Sequence, residues 1–174
     1  MAEQQKDQPR PLVGVSVLIM NGDRVLLEKR NKDPMPGAWQ APGDHMEFGE
    51  SPEETATREV QEEVGVTFRD IRFRALTNDV FEAEKKHYIT IWMEAKYDSG
   101  EPEVKAPYEE SEVGWFTWDS LPEPLYLPLQ HLLDGKTYPS QTTRDKIGGA
   151  IETTPILPGA HSEALSTIKR PFRE

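Results

Sequence analysis

Residues 43–66, GDHMEFGESPEETATREVQEEVGV, constrain the chain more than any other stretch: a turn-rich loop runs directly into one short helix crowded with carboxylates. Ser51, Pro52 and Glu54 spell a helix start. Ser51 can cap free amides, Pro52 suits the first turn, and Glu54 can reach back to complete a capping box. Gly65 is placed to end the helix as a left-handed cap, so the spacing predicts a helix over Pro52 to Val64. Ala56, Val60 and Val64 then share one apolar stripe that packs on a sheet, with Glu59 beside that buried face. Glu62 and Glu63 follow by three and four positions, so three carboxylates project from adjacent points of one helix surface. Between Glu53 and Val66 the one cation is Arg58. Repulsion of this kind is relieved by water, on a solvated acidic face, or by a hard divalent cation. Mg²⁺ prefers oxygen ligands and joins protein carboxylates to substrate phosphates.

A chain of 174 residues has room for one domain with a real core and is short for two. It contains no cysteine, which excludes disulfides, thiolate metal ligands and thiol nucleophiles. With 36% hydrophobic residues, no apolar run near membrane-spanning length and no cationic-then-apolar leader, a soluble, cytoplasmic protein is expected. The 31 acidic against 20 basic residues give a net charge of −11, which disfavours nucleic-acid polymers and anionic membranes. A small phosphorylated ligand escapes that argument, because bound metal ions reverse the charge locally.

Residues 1–11 are polar, carry two prolines and read as a flexible lead. Order begins with LVGVSVLIM, a strand from Leu12 that stops at the hairpin turn Asn21-Gly22-Asp23; Val25 to Arg30 returns as a second strand. Lys29 and Arg30 close it either as ordinary strand-end polarity or with one of them meeting a phosphate. Trp39 to Ala41 is a short extended piece. Ile71 to Phe81 and His87 to Tyr97 read as long strands joined by EAEKK, the second so continuously apolar that both its faces should be covered. Asp98 to Ser111 is a long loop, Gly114 to Trp118 a strand, and Leu125 to Leu133 an amphipathic helix. The sum is an α/β domain over residues 12–134, a mixed sheet flanked by helices. Residues 135–174, with scattered proline, serine and threonine, read as an extension that is peripheral, wrapping the domain or pairing with another subunit, or else partly disordered.

Glu50, seven residues, Arg58-Glu59-Val60, one residue, Glu62-Glu63, one residue, Gly65-Val66: this order resembles the Nudix box, G-x5-E-x7-R-E-U-x-E-E-x-G-U with U aliphatic. One element departs, since Asp44 stands where the box opens with glycine. Similarity to Nudix hydrolases spans residues 12–133. The segments WQAPGDHMEFGE, NDVFEAEKKHYITIWMEA and WFTWDSLPEPLY narrow it to nucleoside-triphosphate diphosphatases of the MutT-homologue type. The resemblance implies the α/β Nudix fold, with its mixed sheet sandwiched between helices, and a homodimer. It also implies Mg²⁺-dependent hydrolysis, with Mn²⁺ as substitute, of (deoxy)nucleoside triphosphates to monophosphate and pyrophosphate, a reaction suited to cleansing the nucleotide pool. A second reading is a Nudix hydrolase of ADP-ribose or a nucleotide sugar. A third, kept alive by Asp44, is a catalytically weak nucleotide-binding module.

Carried over by position, Glu59, Glu62 and Glu63 match the family's metal-binding glutamates, joined by the backbone carbonyl of Asp44. Glu50 and Arg58 match a pair that braces the loop against the helix, and Arg58 can grip Glu50 with a bidentate contact. The proton acceptor falls to Glu63, with Glu62 as the alternative. A further acid is expected from the loop before the WF strand, with Glu109, Glu110 and Glu112 unranked. On the substrate side stand Arg30 and His45 for phosphate, His87 near the substrate, Thr90 for a base edge, and Tyr126 and Leu127 to cover the base. Trp39, Trp92, Trp115 and Trp118 read as core. Glycine at the head of the box serves positive φ and close backbone approach. Asp44 is expected to adopt that left-handed geometry at a cost of about 1 kcal/mol and to lower turnover without abolishing it.

Overall fold

In the computed structural model, which describes residues 10–140, the chain runs β1 (Leu12–Asn21), β2 (Arg24–Arg30), β3 (Trp39–Gln40), α1 (Pro52–Glu63), β4 (Thr67–Phe81), β5 (Lys86–Ser99), β6 (Glu110–Thr117), α2 (Leu127–Leu133) and β7 (Thr137–Tyr138). Strand β1 lies parallel to β5 from Leu12↔Tyr88 to Met20↔Lys96, β4 runs antiparallel to β5, and β2 runs antiparallel to β6. The sheet is therefore mixed, as expected from the sequence.

Alternation along β1 decides where the helices go. Val15, Val17 and Ile19 pack with Ala56, Val60 and Val64 of α1 and its C-cap, whereas Leu18 and Met20 pack with Leu129 and Leu132 of α2. Successive side chains of a strand point to opposite faces, so the helices cover opposite sides of one sheet. Each fully buried aliphatic side chain contributes about 1.5–3 kcal/mol; the α1 layer is built almost entirely of them, whereas the α2 layer adds Trp39, Trp92 and Trp118.

The N-terminus of α1 forms the capping box that its sequence spells. Ser51 Oγ accepts from the Glu54 amide at 3.2 Å, and Glu54 Oε2 accepts from the Ser51 amide at 2.8 Å. At the other end Gly65 adopts φ 69° and its N–H reaches the Val60 carbonyl at 2.8 Å, with Val64 as the C-cap rather than the last helical residue.

The feature that positions the site is a split in the sheet. Strands β1 and β2 pair only at the hairpin mouth, at Met20↔Val25 and Asn21↔Arg24, and then part. Residues 39–46 fill the gap: Gln40 and Trp39 pair with Glu28 and Lys29 of β2, while Val17 and Val15 donate to the carbonyls of Pro42 and Asp44 at 2.9 and 2.8 Å. The box loop thus leaves from the centre of the sheet.

Several boundaries differ from the sequence-based expectation, each for a tertiary reason. Strand β6 begins at Glu110, not Gly114, because residues 110–113 pair with β2 across a bulge at Lys29/Arg30. Glu110 and Glu112 are accordingly strand residues and not loop residues. Strand β4 begins at Thr67, irregular in register as far as Ala75. Helix α2 begins at Leu127, since Leu125 bridges Trp39 and the Tyr126 amide donates to the Trp39 carbonyl at 2.8 Å. Strand β7 adds to β4 at Leu76 and Thr77, carrying the sheet past residue 134. Of the expected N-terminal lead and C-terminal extension, residues 1–9 and 141–174 lie outside the described residues. No helix among the described residues is long and apolar enough to cross a membrane.

Candidate functional site

Gly43 is where the loop is locked to the sheet. Its φ is 136°, and a Cβ there would stand 2.0 Å from the Val15 carbonyl oxygen, so this position tolerates glycine alone. Among the described residues, the left-handed ones other than glycine are Met35, Asp70 and Lys85. Asp44 is not among them: it lies alongside β1 with its carbonyl accepting from Val15, and the strain expected at this position is absent. The obligatory glycine of the loop mouth is the residue before it.

On the outer side of α1 the expected brace is present. Arg58 Nε and Nη2 donate to the two oxygens of Glu50 at 2.7 and 2.9 Å, Nη1 reaches Glu59 at 2.6 Å, and Nη2 also caps the His45 carbonyl at 3.2 Å. Bonding to Arg58, followed by the Glu47 amide, draws the Glu50 carboxyl down to about 2. Burial, by contrast, raises Glu59 despite its contact with Arg58. Glu62 is 61% exposed and touches Arg58 only at 3.4 Å.

Glu63 turns the other way. It is 2% exposed, and its Oε2 accepts from the Gly43 amide at 2.7 Å. Beside it lie Glu28 from the middle of β2 and Glu110 from the first position of β6, at 0% and 1% exposure. One ligand oxygen from each of the three falls within 4.8 Å of the others, the one such group of acids among the described residues. Burial and then the Glu110 charge push Glu28 up to about 8; burial and then Glu109 push Glu110 up to about 7. Burial, Glu28 and Glu110 raise Glu63 well above the usual carboxylate range. The donor set is all hard oxygen with several oxygens unpartnered, which fits a divalent cation of the Mg²⁺ or Mn²⁺ kind.

A cavity of about 230 Å³ opens in front of this wall, lined by Gly43 and Gln40, by Arg30, Lys32 and Lys86, by Asp44 and His45, and by Tyr88, Thr90 and Tyr126. The Arg30 guanidinium lies 4.1 Å from the centre of the Tyr126 ring, which stacks on Phe81 at 5.4 Å. Thr90 donates to Asp79 Oδ2 at 2.7 Å. Asp79, fully buried, also accepts from Thr77 and from His131 Nδ1 of α2. Lys32 bridges Asp44, at 2.5 Å, and Glu109. Burial works against ionisation of Asp44, but bonds from His45 and Lys32 outweigh it and hold the carboxyl far below its ordinary value. The Asp44 contact in turn raises His45.

Of the sequence-predicted substrate residues, Arg30, His45, Thr90 and Tyr126 share this cavity. His87 and Leu127 are not part of its lining, and His87 donates instead to Asn78 at 2.7 Å. Lys29 pairs with Glu112 at 2.6 Å. Of the four tryptophans read as core, Trp39, Trp92 and Trp118 are buried, and Trp115 is partly buried against the α1-side cluster. Sequence reasoning missed Glu28, Lys32 and the Asp79–His131 pair. The available signal for Glu28 was an acid directly following the apolar run Val25-Leu26-Leu27.

Comparison with known proteins follows the same lines. A family model described as the NUDIX domain matches residues 10–135. The NAD-capped RNA hydrolase NudC of Pseudomonas aeruginosa is 35% identical over 156 residues, covering 87% of this chain and 50% of the relative, so the chain spans about half the length of that protein. An ADP-ribose pyrophosphatase of Methanocaldococcus jannaschii is 29% identical over 113 residues, covering 65% of this chain and 66% of the relative. The crystal structure of a MutT NUDIX hydrolase from Burkholderia pseudomallei superposes with a TM-score of 0.65 at 32% identity, covering 68% of this chain and 92% of that one.

Proposed function

The chain belongs to the Nudix hydrolase family, and on that premise we propose that it hydrolyses a phosphoanhydride bond in a small nucleotide with the help of a divalent cation. The observation that carries this reading is the shared wall of cavity and acids: the Gly43 amide that holds Glu63 belongs to the lining that also offers Arg30, Lys32, Lys86 and the Tyr126 ring. Cations suit phosphates, and the Tyr126–Phe81 stack suits a base. The preferred substrate is a nucleoside triphosphate, cleaved to monophosphate and pyrophosphate as in the MutT-homologue subgroup that the sequence resembles.

Glu59, Glu62 and Glu63 would hold the cation, together with the Asp44 carbonyl. Bound Mg²⁺ supplies charge screening for the phosphates and a more acidic water. Arg58 and Glu50 hold the loop against the helix so that the acids stay aligned. Glu62 is the better proton acceptor of the two residues that the sequence offers, because it is exposed, whereas Glu63 is buried and already bonded to Gly43. Arg30 and Lys32 orient phosphate, and Thr90, fixed by Asp79, faces the base.

A second reading has a specific observation behind it. The relatives named for ADP-ribose and NAD-capped RNA favour a diphosphate that joins two groups, and the second of them is carried on a polymer. The net charge of −11 opposes polymer binding, so a small nucleotide remains preferred. A module that binds without cleaving is disfavoured because the Asp44 charge is matched by Lys32 and His45 and does not face the cavity alone. The homodimer and the cytoplasmic setting belong to the same proposal, and sedimentation of the purified chain tests the former. The activity test is a panel of triphosphates, ADP-ribose, nucleotide sugars and an NAD-capped oligoribonucleotide with Mg²⁺. Monophosphate plus pyrophosphate from a triphosphate supports the preferred reading. Turnover confined to the diphosphates selects the second, and no turnover of any compound, or orthophosphate as the sole phosphate product, overturns both hydrolase assignments.

A further inference from the structure

Glu28 has no place in the box, yet it is one of the most deeply buried polar residues described, at 0% exposure. It sits on β2 with Val25, Leu26 and Leu27, all equally buried, and its carboxylate points to the one spot where α1 and β6 also bring acids. Gln40 donates to its Oε1 at 2.8 Å; Oε2 has no partner. Across from it, Glu63 Oε1 and both oxygens of Glu110 are buried without a partner as well. The guanidinium of Arg30 does not serve them, since its donors go to Gln40, the Pro34 carbonyl at 3.1 Å and the Lys32 carbonyl at 3.4 Å.

A carboxylate withdrawn from water stays charged only with a cation or several donors beside it. The acids come from three separate elements, so their convergence is a product of the fold and not of one acidic run. One ligand oxygen of each lies within 4.8 Å of the others, and four of their six carboxylate oxygens are buried without a hydrogen-bond partner. Two of the lining residues of the cavity, Gln40 and Gly43, are themselves bonded to this group, which places it directly behind the cavity wall.

We infer that Glu28 is a ligand for a divalent cation, closing with Glu63 and Glu110 an interior all-oxygen site behind the cavity. Hard oxygen donors select Mg²⁺ or Mn²⁺ over softer metals. The inference builds on the proposed metal dependence through Glu63, which both sets share, and adds a β2 residue that the helix acids do not supply. Glu59 and Glu62 remain on the outer face, one held by Arg58 and the other in solvent.

The test uses Mn²⁺ alone, titrated into the metal-stripped full chain and followed by the paramagnetic resonance of free Mn²⁺ and by calorimetry. Glu28→Gln preserves volume and can still bond to Gln40 through its amide. It is expected to remove one Mn²⁺ equivalent or weaken it by tenfold or more, and Glu110→Gln should do the same from the opposite wall if either variant alone misfolds. Circular dichroism and cooperative melting establish that the variants are folded. Unchanged stoichiometry and affinity in both folded variants would overturn the inference and leave the three acids as a proton-sharing cluster. Loss of Mn²⁺ in Glu28→Gln from a parent that hydrolyses no nucleotide would uphold the site and overturn the hydrolase reading. Hydrolysis by a parent whose Mn²⁺ binding ignores both substitutions would do the reverse.

Discussion

Glu50 and Glu59 on the outer side of α1 both end on the Arg58 guanidinium, whereas Glu63, one turn beyond Glu59 in the same helix, ends among Glu28 and Glu110 with no cationic side chain in contact. The chemistry of the side chains is identical. Their surroundings are not: bonding draws Glu50 down to about 2, and burial drives Glu28 up to about 8. In the outer group both carboxylates already have a cationic partner, so Glu59 would meet a metal ion only by sharing its carboxylate with Arg58. The inner group is incomplete without protons or a cation, which is the property expected of a binding site rather than a strut.

Substitutions can break this contrast in order of severity. The largest effect is expected from Gly43→Ala, because the new methyl collides with the Val15 carbonyl and breaks the joint between loop, sheet and Glu63; unfolding in denaturant should show a loss of about 3 kcal/mol. Glu62→Gln should leave melting almost unchanged while reducing turnover roughly 10²–10⁴-fold, measured as pyrophosphate release under saturating Mg²⁺. Arg58→Ala dismantles the outer group alone. It should lower the melting temperature and cut turnover roughly 10–100-fold, because Glu50 and Glu59 lose their shared partner and the loop loses its brace. The smallest effect is expected at Asp44. Its exchange for glycine leaves Lys32 with Glu109 as its one remaining acidic partner among the described residues and should raise turnover about two- to fivefold, the scale of a partly exposed ion pair worth about 1 kcal/mol or less. Equal rates would show the position to be neutral.

Local signals made α1 legible. Ser51, Pro52, Glu54 and Gly65 act within a few residues of themselves, so the sequence alone places the helix, its caps and its apolar stripe. The brace between Arg58 and Glu50 follows from spacing for the same reason. The interior acids were not legible because their meeting depends on long-range pairing. Glu28 stands inside β2 directly after an apolar run, where an acid ordinarily faces solvent, and Glu110 belongs to β6 only through its register against Arg30. Asp44 misled in a different way. A glycine in a motif suggests left-handed backbone at that position, but pairing with β1 extends residue 44 and moves the constraint onto Gly43. The two-residue strand β7 has no periodicity to read.

The contrast between the two groups is tested most directly by melting the metal-stripped chain across pH with and without Mg²⁺. Glu28 and Glu110, with folded values of about 8 and 7 against an ordinary 4.5, keep protons in the folded chain that the unfolded chain releases. The folded state therefore binds more protons between these limits, and stability falls as pH rises from about 5 to 8. His45, also raised, contributes with the same sign. Without Mg²⁺ the melting temperature should decline over this range, less so in Glu28→Gln. Mg²⁺ should restore it, and more strongly at about pH 8 than at about pH 6, because the cation replaces protons already leaving. A metal-free melting temperature that is flat or rising over this range, or a Mg²⁺ gain that is absent or independent of pH, would contradict the account.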